Sequence, residues 1–220
     1  MTETRPAAGV GGRNPRVDNA VDALHRTVLA VRDAWEVVLL FVLVAPLSAV
    51  LGSAGGIVGA IGSAVGVYLV GARRPGSVEQ GRSSNSLGVR VFLALLAALV
   101  AGVAILVGLL LLVLPGLYLS VRLYLVIPAV MLGDDGPLEA LGSSWDRTSG
   151  HGFTVAGVVI AILAVSLTIF TVVLVGTAGG VDPAIERVLN DEVMIPQVAR
   201  TLVGGPLGAA AMAVLYDGLE

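Results

Sequence analysis

The chain has 220 residues, 56% of them hydrophobic and 13% charged, with a net charge of −3 and a mean hydropathy of +0.93. An ordinary soluble domain carries ~25% charged residues, so this balance places the chain in a membrane. The absence of cysteine excludes structural disulfides, thiol catalysis and thiolate metal sites. All 13 basic residues are arginine. Two explanations for the missing lysine stand side by side: a GC-rich genome, or a salt-adapted organism.

Residues 1–15 are polar and contain Pro6, Gly9, Gly11, Gly12 and Pro15, which predicts a disordered cytoplasmic tail. They do not read as a signal peptide, because the first apolar stretch begins only at Val37. Residues 16–220 are expected to form one membrane-embedded helical domain. Within it, Val17, Val21, Leu24, Val28, Val31 and Trp35 recur at spacings of three or four among charged neighbours. That pattern predicts an amphipathic helix lying on the inner face, with a helix running straight into the first span as the alternative.

Residues 37–72 are uncharged and interrupted at Gly52-Ser53-Ala54-Gly55-Gly56. Arginines are dense on both sides, at Arg5, Arg13, Arg16, Arg26 and Arg32 before and at Arg73, Arg74, Arg82 and Arg90 after. Positive flanks stay cytoplasmic, so an even number of crossings must lie between them. Two spans are expected.

From 91 to 121 the chain again carries no charge, and a single helix over that stretch would exceed the ~20 residues that cross a bilayer. A hairpin turning at Pro115-Gly116 and running on to about Leu132 solves this, since proline lacks a donor and glycine tolerates turns. In 133–151, Asp134 or Asp135 can cap a helix opening at Pro137. Leu138, Leu141 and Trp145 would share one face of it, at headgroup level; a loop helix packed on the bundle is the plainer alternative.

Residues 153–175 and 194–216 complete about six spans. The fold class is all-α, a polytopic transmembrane helix bundle with short interfacial amphipathic helices. Both termini and the loops 73–90 and 133–151 then face the cytoplasm of a multi-pass cell-membrane protein. Arg187 and Arg200 lie outside, with an acidic external loop at 177–193 that carries Asp182, Glu186, Asp191 and Glu192.

Catalytic patterns are missing. His25 and His151 stand far apart in sequence, with no metal-ligand spacing, no Gly-x-Ser-x-Gly elbow and no phosphate loop. No catalytic residue, metal site or cofactor is expected. Small residues recur every four positions at Gly52, Gly56, Ala60 and Ala64, at Gly55, Gly59 and Ser63, with Gly62 and Gly66 extending the pattern, and at Gly204 and Gly208. Such stripes let helices approach closely. A gating surface or dimer seam is weighed against packing of the second span on the sixth, and packing is favoured.

Arg122 is the one charge well inside a span, a turn and a half beyond Pro115-Gly116. With Tyr118 four residues earlier, it is the candidate contact for an anion or a lipid headgroup. The plainer reading, which we prefer, is a snorkelling arginine bonded to Tyr118 and to carbonyls at the end of the third span, at a cost of ~1–3 kcal/mol.

Two segments carry a family likeness. One is Leu114-Pro115-Gly116-Leu117-Tyr118-Leu119-Ser120-Val121-Arg122-Leu123 with Pro128 and Ala129 after it. The other is Gly136-Pro137-Leu138-Glu139-Ala140-Leu141-Gly142-Ser143-Ser144-Trp145 and then Thr148-Ser149-Gly150. Together they resemble polytopic membrane proteins related to the membrane domain attached to some glycerophosphoryl diester phosphodiesterases. The ending Leu215-Tyr216-Asp217 fits as well. The resemblance covers roughly the second half, and free-standing members, haloarchaeal ones among them, are mostly of unknown function. It implies a fold and no enzyme, because the phosphodiesterase activity of the fused proteins lies in a separate soluble domain.

The expected function is therefore a non-enzymatic integral membrane protein that scaffolds or senses at the inner leaflet. The alternative is a transporter or permease subunit with its site near Arg122. The lipid bilayer is the expected partner and nucleic acid is not; a second copy or another membrane protein is left open, and no small-molecule ligand is identified.

Overall fold

The computed structural model describes residues 16–52, 55–74, 86–133, 135–190 and 193–219. The tail expected at 1–15 lies outside them, as do parts of the Gly52–Gly56 break, most of the 73–90 loop, and Asp134, Asp191 and Glu192. Among the described residues every regular element is an α-helix: α1 Ala20–Asp33, α2 Trp35–Val50, α3 Gly55–Ala72, α4 Leu87–Leu111, α5 Val113–Arg122, α6 Val126–Gly133, α7 Pro137–Thr148, α8 Gly152–Ala178, α9 Val181–Leu189 and α10 Met194–Gly218. By length and composition, α3, α4, the stretch Val113–Gly133, α8 and α10 can each cross a membrane. The sixth apolar helix, α2, has 16 residues and is ~24 Å long. The chain thus forms the expected polytopic helical bundle, with five helices long enough to span and α2 as a shorter apolar helix beside them.

The core is built around α10, which packs on α8, α2, α3 and α1. Its run of alanines explains the central place: Ala209, Ala210, Ala211 and Ala213 are buried and let four neighbours come close. Phe41 of α2, fully buried, fills the gap against Gly205 and Gly66. A methyl on Gly66 would come within 2.9 Å of the Ala209 side chain, and one on Gly62 within 2.9 Å of Val44. The α3 stripe is thus used for packing on α10 and α2, as preferred, while Gly56, Gly59 and Gly208 face open space. In the last span the close approaches are Gly204 on Ser166 of α8 and Gly205 on Phe41, so of the expected Gly204–Gly208 pair only Gly204 is used for close packing.

The outer helices expose their large apolar side chains and bury small ones. On α4, Ala94, Ala97 and Ala101 are buried, whereas Phe92, Leu99, Val103, Leu106 and Leu110 are exposed. In water such a surface would mark an interaction site; here it is the lipid-facing wall.

Four expectations need correction. The hairpin between α4 and α5 pivots at Leu112, whose extended backbone (φ −163°, ψ 143°) separates the helices. Pro115 and Gly116 instead lie in the first turn of α5. A first-turn proline removes an N–H that has no helical partner anyway, and Gly116 leaves room for the Leu109 side chain of the facing arm. Second, the returning arm is not continuous: residues 123–125 form a turn between α5 and α6.

Third, the N-cap of α7 is Gly136 and neither aspartate; the Glu139 carboxylate accepts from the Gly136 N–H at 3.1 Å. Fourth, the acidic segment 177–193 is largely helical as α9, introduced by Gly179 and Gly180 at positive φ. Val181, Ile185 and Val188 at helical spacing were the signal for it, and all three are exposed.

The amphipathic helix expected at 17–35 is present but stops at Ala34, which breaks it from α2. Asn19 caps it through a 3.0 Å bond from the Asp22 N–H. Its protein face is Ala23, Thr27 and Ala30, packed on α10 and α8, while Val21, Val28 and Trp35 are exposed. The expected apolar face is thus divided: Val17 is buried and Leu24 and Val31 pack against the core, while Val21, Val28 and Trp35, the first residue of α2, face outward.

Candidate functional site

Arg122 ends α5, and three features of the chain bring α7 alongside it. The turn at 123–125 redirects the arm, α6 packs on α7, and the buried face of α7 consists of Ala140, Ser144 and Thr148. These small residues at a spacing of four admit close contact and also carry hydroxyls. Ser144 Oγ donates to the Arg122 carbonyl at 2.7 Å and accepts from the Leu125 N–H at 3.1 Å. Thr148 Oγ1 reaches the same carbonyl at 3.3 Å. Backbone groups freed by the helix break are thus satisfied from α7, which apolar surroundings make necessary.

The Arg122 guanidinium itself is well occupied. Nε donates to the Tyr118 hydroxyl at 2.9 Å, and a terminal nitrogen donates to Ser149 Oγ at 2.9 Å. Its carbon lies 5.0 Å from the centre of the Tyr118 ring and 5.1 Å from that of Trp145, and the two rings meet edge to face at 5.7 Å. Such contacts contribute ~0.5–1 kcal/mol each where partly exposed.

The expected pairing with Tyr118 is therefore present. Among the described residues the expected helix-end carbonyls are not its partners; Ser149, on the far end of α7, takes that place because α7 folds back over α5. Trp145 and Ser149 were both missed as partners of Arg122, since nothing local in the chain ties them to it. Tyr124, two residues on, is the middle residue of the turn and is partly buried against the core.

A second arginine fixes the other side of α7. Arg147 lies 3.9 Å over the Tyr216 ring and donates to the Tyr216 carbonyl at 3.2 Å. Beside it, Arg74 bonds Asp217 at 2.9 Å and the Ala213 carbonyl at 3.3 Å. Burial lowers the Arg74 pKa below the ordinary arginine value; Asp217 opposes that and the charge of Arg26 adds to it. Arg90 is also buried and donates to the Met131 carbonyl at 3.0 Å.

Near the same end Val17 N–H donates to the Gly218 carbonyl at 2.9 Å, and His151 meets Arg16 at 3.4 Å. His25 is exposed on α1. Among the described residues no three His, Asp or Glu side chains gather closely enough to hold a metal ion.

Residues 96–195 match the family model described as the membrane domain of glycerophosphoryl diester phosphodiesterase. The match spans the Pro115-Gly116 segment, Arg122 and all of α7, so the resemblance read from those motifs is borne out, and the chain is similar to that membrane domain over these residues. No curated protein and no solved structure matches the chain.

Proposed function

We propose that this integral membrane protein is non-catalytic and works at the inner leaflet, where it organises or senses the headgroup layer through α1 and α7. The observation that carries this reading is the way α7 is mounted. One face is bonded to the break after Arg122 and to Tyr216, while Leu138, 73% exposed, and Trp145 lie on the other. A helix with an apolar and aromatic outer face belongs at the lipid interface. Its ties make any tilt felt at the α5–α6 junction.

The occupied guanidinium of Arg122 supports an anchoring role over an anion site. That the matched family is described as a membrane domain supports the absence of catalysis. The test uses a polarity-sensitive dye on a single cysteine at Ser143, in protein reconstituted into vesicles of increasing anionic lipid content. Emission at 143 is expected to shift with headgroup charge, while the same dye at Val172 on α8 does not respond. Trapped reporters of pH and anions are expected to show no flux above protein-free vesicles. A silent dye at 143 together with solute flux abolished by Arg122→Ala would overturn the reading in favour of transport.

A further inference from the structure

A cavity of about 240 Å³ opens where α1 passes the end of α3, lined by Arg26, Leu29, Ala30, Asp33, Val70, Arg73 and Arg74. It is separate from Arg122, and the reading of α7 does not bear on it. We propose that it binds the phosphate of a phospholipid headgroup or a free phosphate ester, with a donor on the esterifying alcohol reaching Asp33.

Three guanidinium groups converge on one small volume, and each is steered there by an acid behind it: Asp22 holds Arg26, Glu36 holds Arg73 and Asp217 holds Arg74. Arg26 and Arg74 are close enough for the charge of one to disfavour that of the other, a repulsion that a phosphate between them relieves. Arg73 is half-exposed and donates to Glu36 and to the Asp33 carbonyl. Its guanidinium carries five N–H groups, so it keeps donors for a second, bidentate partner.

Asp33 also lines the cavity, and among the described residues its carboxylate has no partner. A bare phosphate would be repelled by it. A phosphodiester whose headgroup ends in a hydroxyl or an ammonium places a donor there. Leu29, 42% exposed, lines the same opening, and Val28 beside it on α1 is also exposed. An acyl chain leaving the glycerol would lie along them.

The experiment is thermal unfolding of the purified full chain in a phosphate-free detergent, titrated with phosphatidylglycerol, phosphatidic acid, glycerol phosphate and inorganic phosphate. Phosphatidylglycerol is expected to raise the midpoint saturably. Arg73→Gln is expected to weaken it about tenfold, the loss of one charge-assisted contact, and Arg187→Gln to leave it unchanged. Asp33→Asn is expected to reduce the preference for phosphatidylglycerol over phosphatidic acid.

Equal saturation by glycerol phosphate would assign the site to a free phosphate ester; response to the lipids alone would assign it to a headgroup. In parallel, a photoactivatable phosphatidylglycerol should crosslink the parent protein within residues 26–33 or 70–74, a readout that does not rely on variants folding. Crosslinks confined to other helices, or a midpoint shift that Arg73→Gln leaves intact, would overturn the proposal.

Discussion

At the residue scale, Arg122 shows how far local spacing reaches. Its bond to Tyr118 follows from four residues along one helix face. Its bond to Ser149, 27 residues away, depends on α7 folding back and has no signature along the chain. The structure also changes what substitution should do. A purely snorkelling arginine tolerates lysine, but this one spreads a planar group across two rings and two hydroxyls. Arg122→Lys keeps the charge and one bond and loses the fork and the stacking. We expect it to lower stability in detergent by about 1 kcal/mol and Arg122→Ala by more, measured by thermal unfolding. Native mass spectrometry should show no anionic lipid bound by the parent and lost from the lysine variant on account of this residue. Such a lipid, if found, would make Arg122 a recognition site.

At the element scale, α7 was legible and its mounting was not. Pro137 and the spacing of Leu138, Leu141 and Trp145 predict the helix, because propensity and periodicity are local, but of the expected outer face Leu138 and Trp145 are exposed while Leu141 packs against the core. The inner face of Ala140, Ser144 and Thr148 carries no hydropathy signal, being small and weakly polar, although it makes the tertiary contact. The pivot at Leu112 was missed for a related reason. Proline and glycine mark a boundary, but both a turn and a helix start admit them.

Ser144→Ala isolates the mounting. It leaves the buried Leu125 N–H without its 3.1 Å partner and takes the 2.7 Å donor from the Arg122 carbonyl, which keeps only the 3.3 Å approach of the Thr148 hydroxyl. The expected cost is about 1–3 kcal/mol, with faster hydrogen exchange at Leu125 and unchanged exchange in α10. Unchanged exchange at Leu125 would show that the serine contributes nothing. With Trp35 replaced by Phe, Trp145 fluorescence should be quenched by lipid-borne quenchers at headgroup depth. Quenching by aqueous iodide alone would make α7 a solvated loop helix.

At the scale of the whole molecule, hydropathy and arginine placement predicted the number of apolar helices, and neither identified α10 as their centre. Its mean composition is less apolar than that of α4 or α8, yet its alanines and glycines let neighbours close around it. In lipid, close van der Waals contact replaces the hydrophobic drive between helices. Gly205→Val should therefore strike the Phe41 ring and lower stability by about 1–3 kcal/mol, and Phe41→Leu should restore part of the loss.

Topology is the remaining question at this scale. The Val17–Gly218 bond puts the start of α1 and the end of α10 together at one end of the bundle, which an even number of crossings requires. The crossing on which the count turns is α2, the shortest of the six, because it must pair with α3 to return the chain to the side that carries the arginines. Since the chain has no cysteine, single cysteines at Ser84, Ser143 and Thr177 can be labelled without background by an impermeant reagent in sealed vesicles. Ser84 and Ser143 are expected to react from the cytoplasmic side and Thr177 from the opposite one. Ser84 labelled from the same side as Thr177 would mean that 37–72 crosses once, with α2 and α3 forming a re-entrant pair or a single bent span.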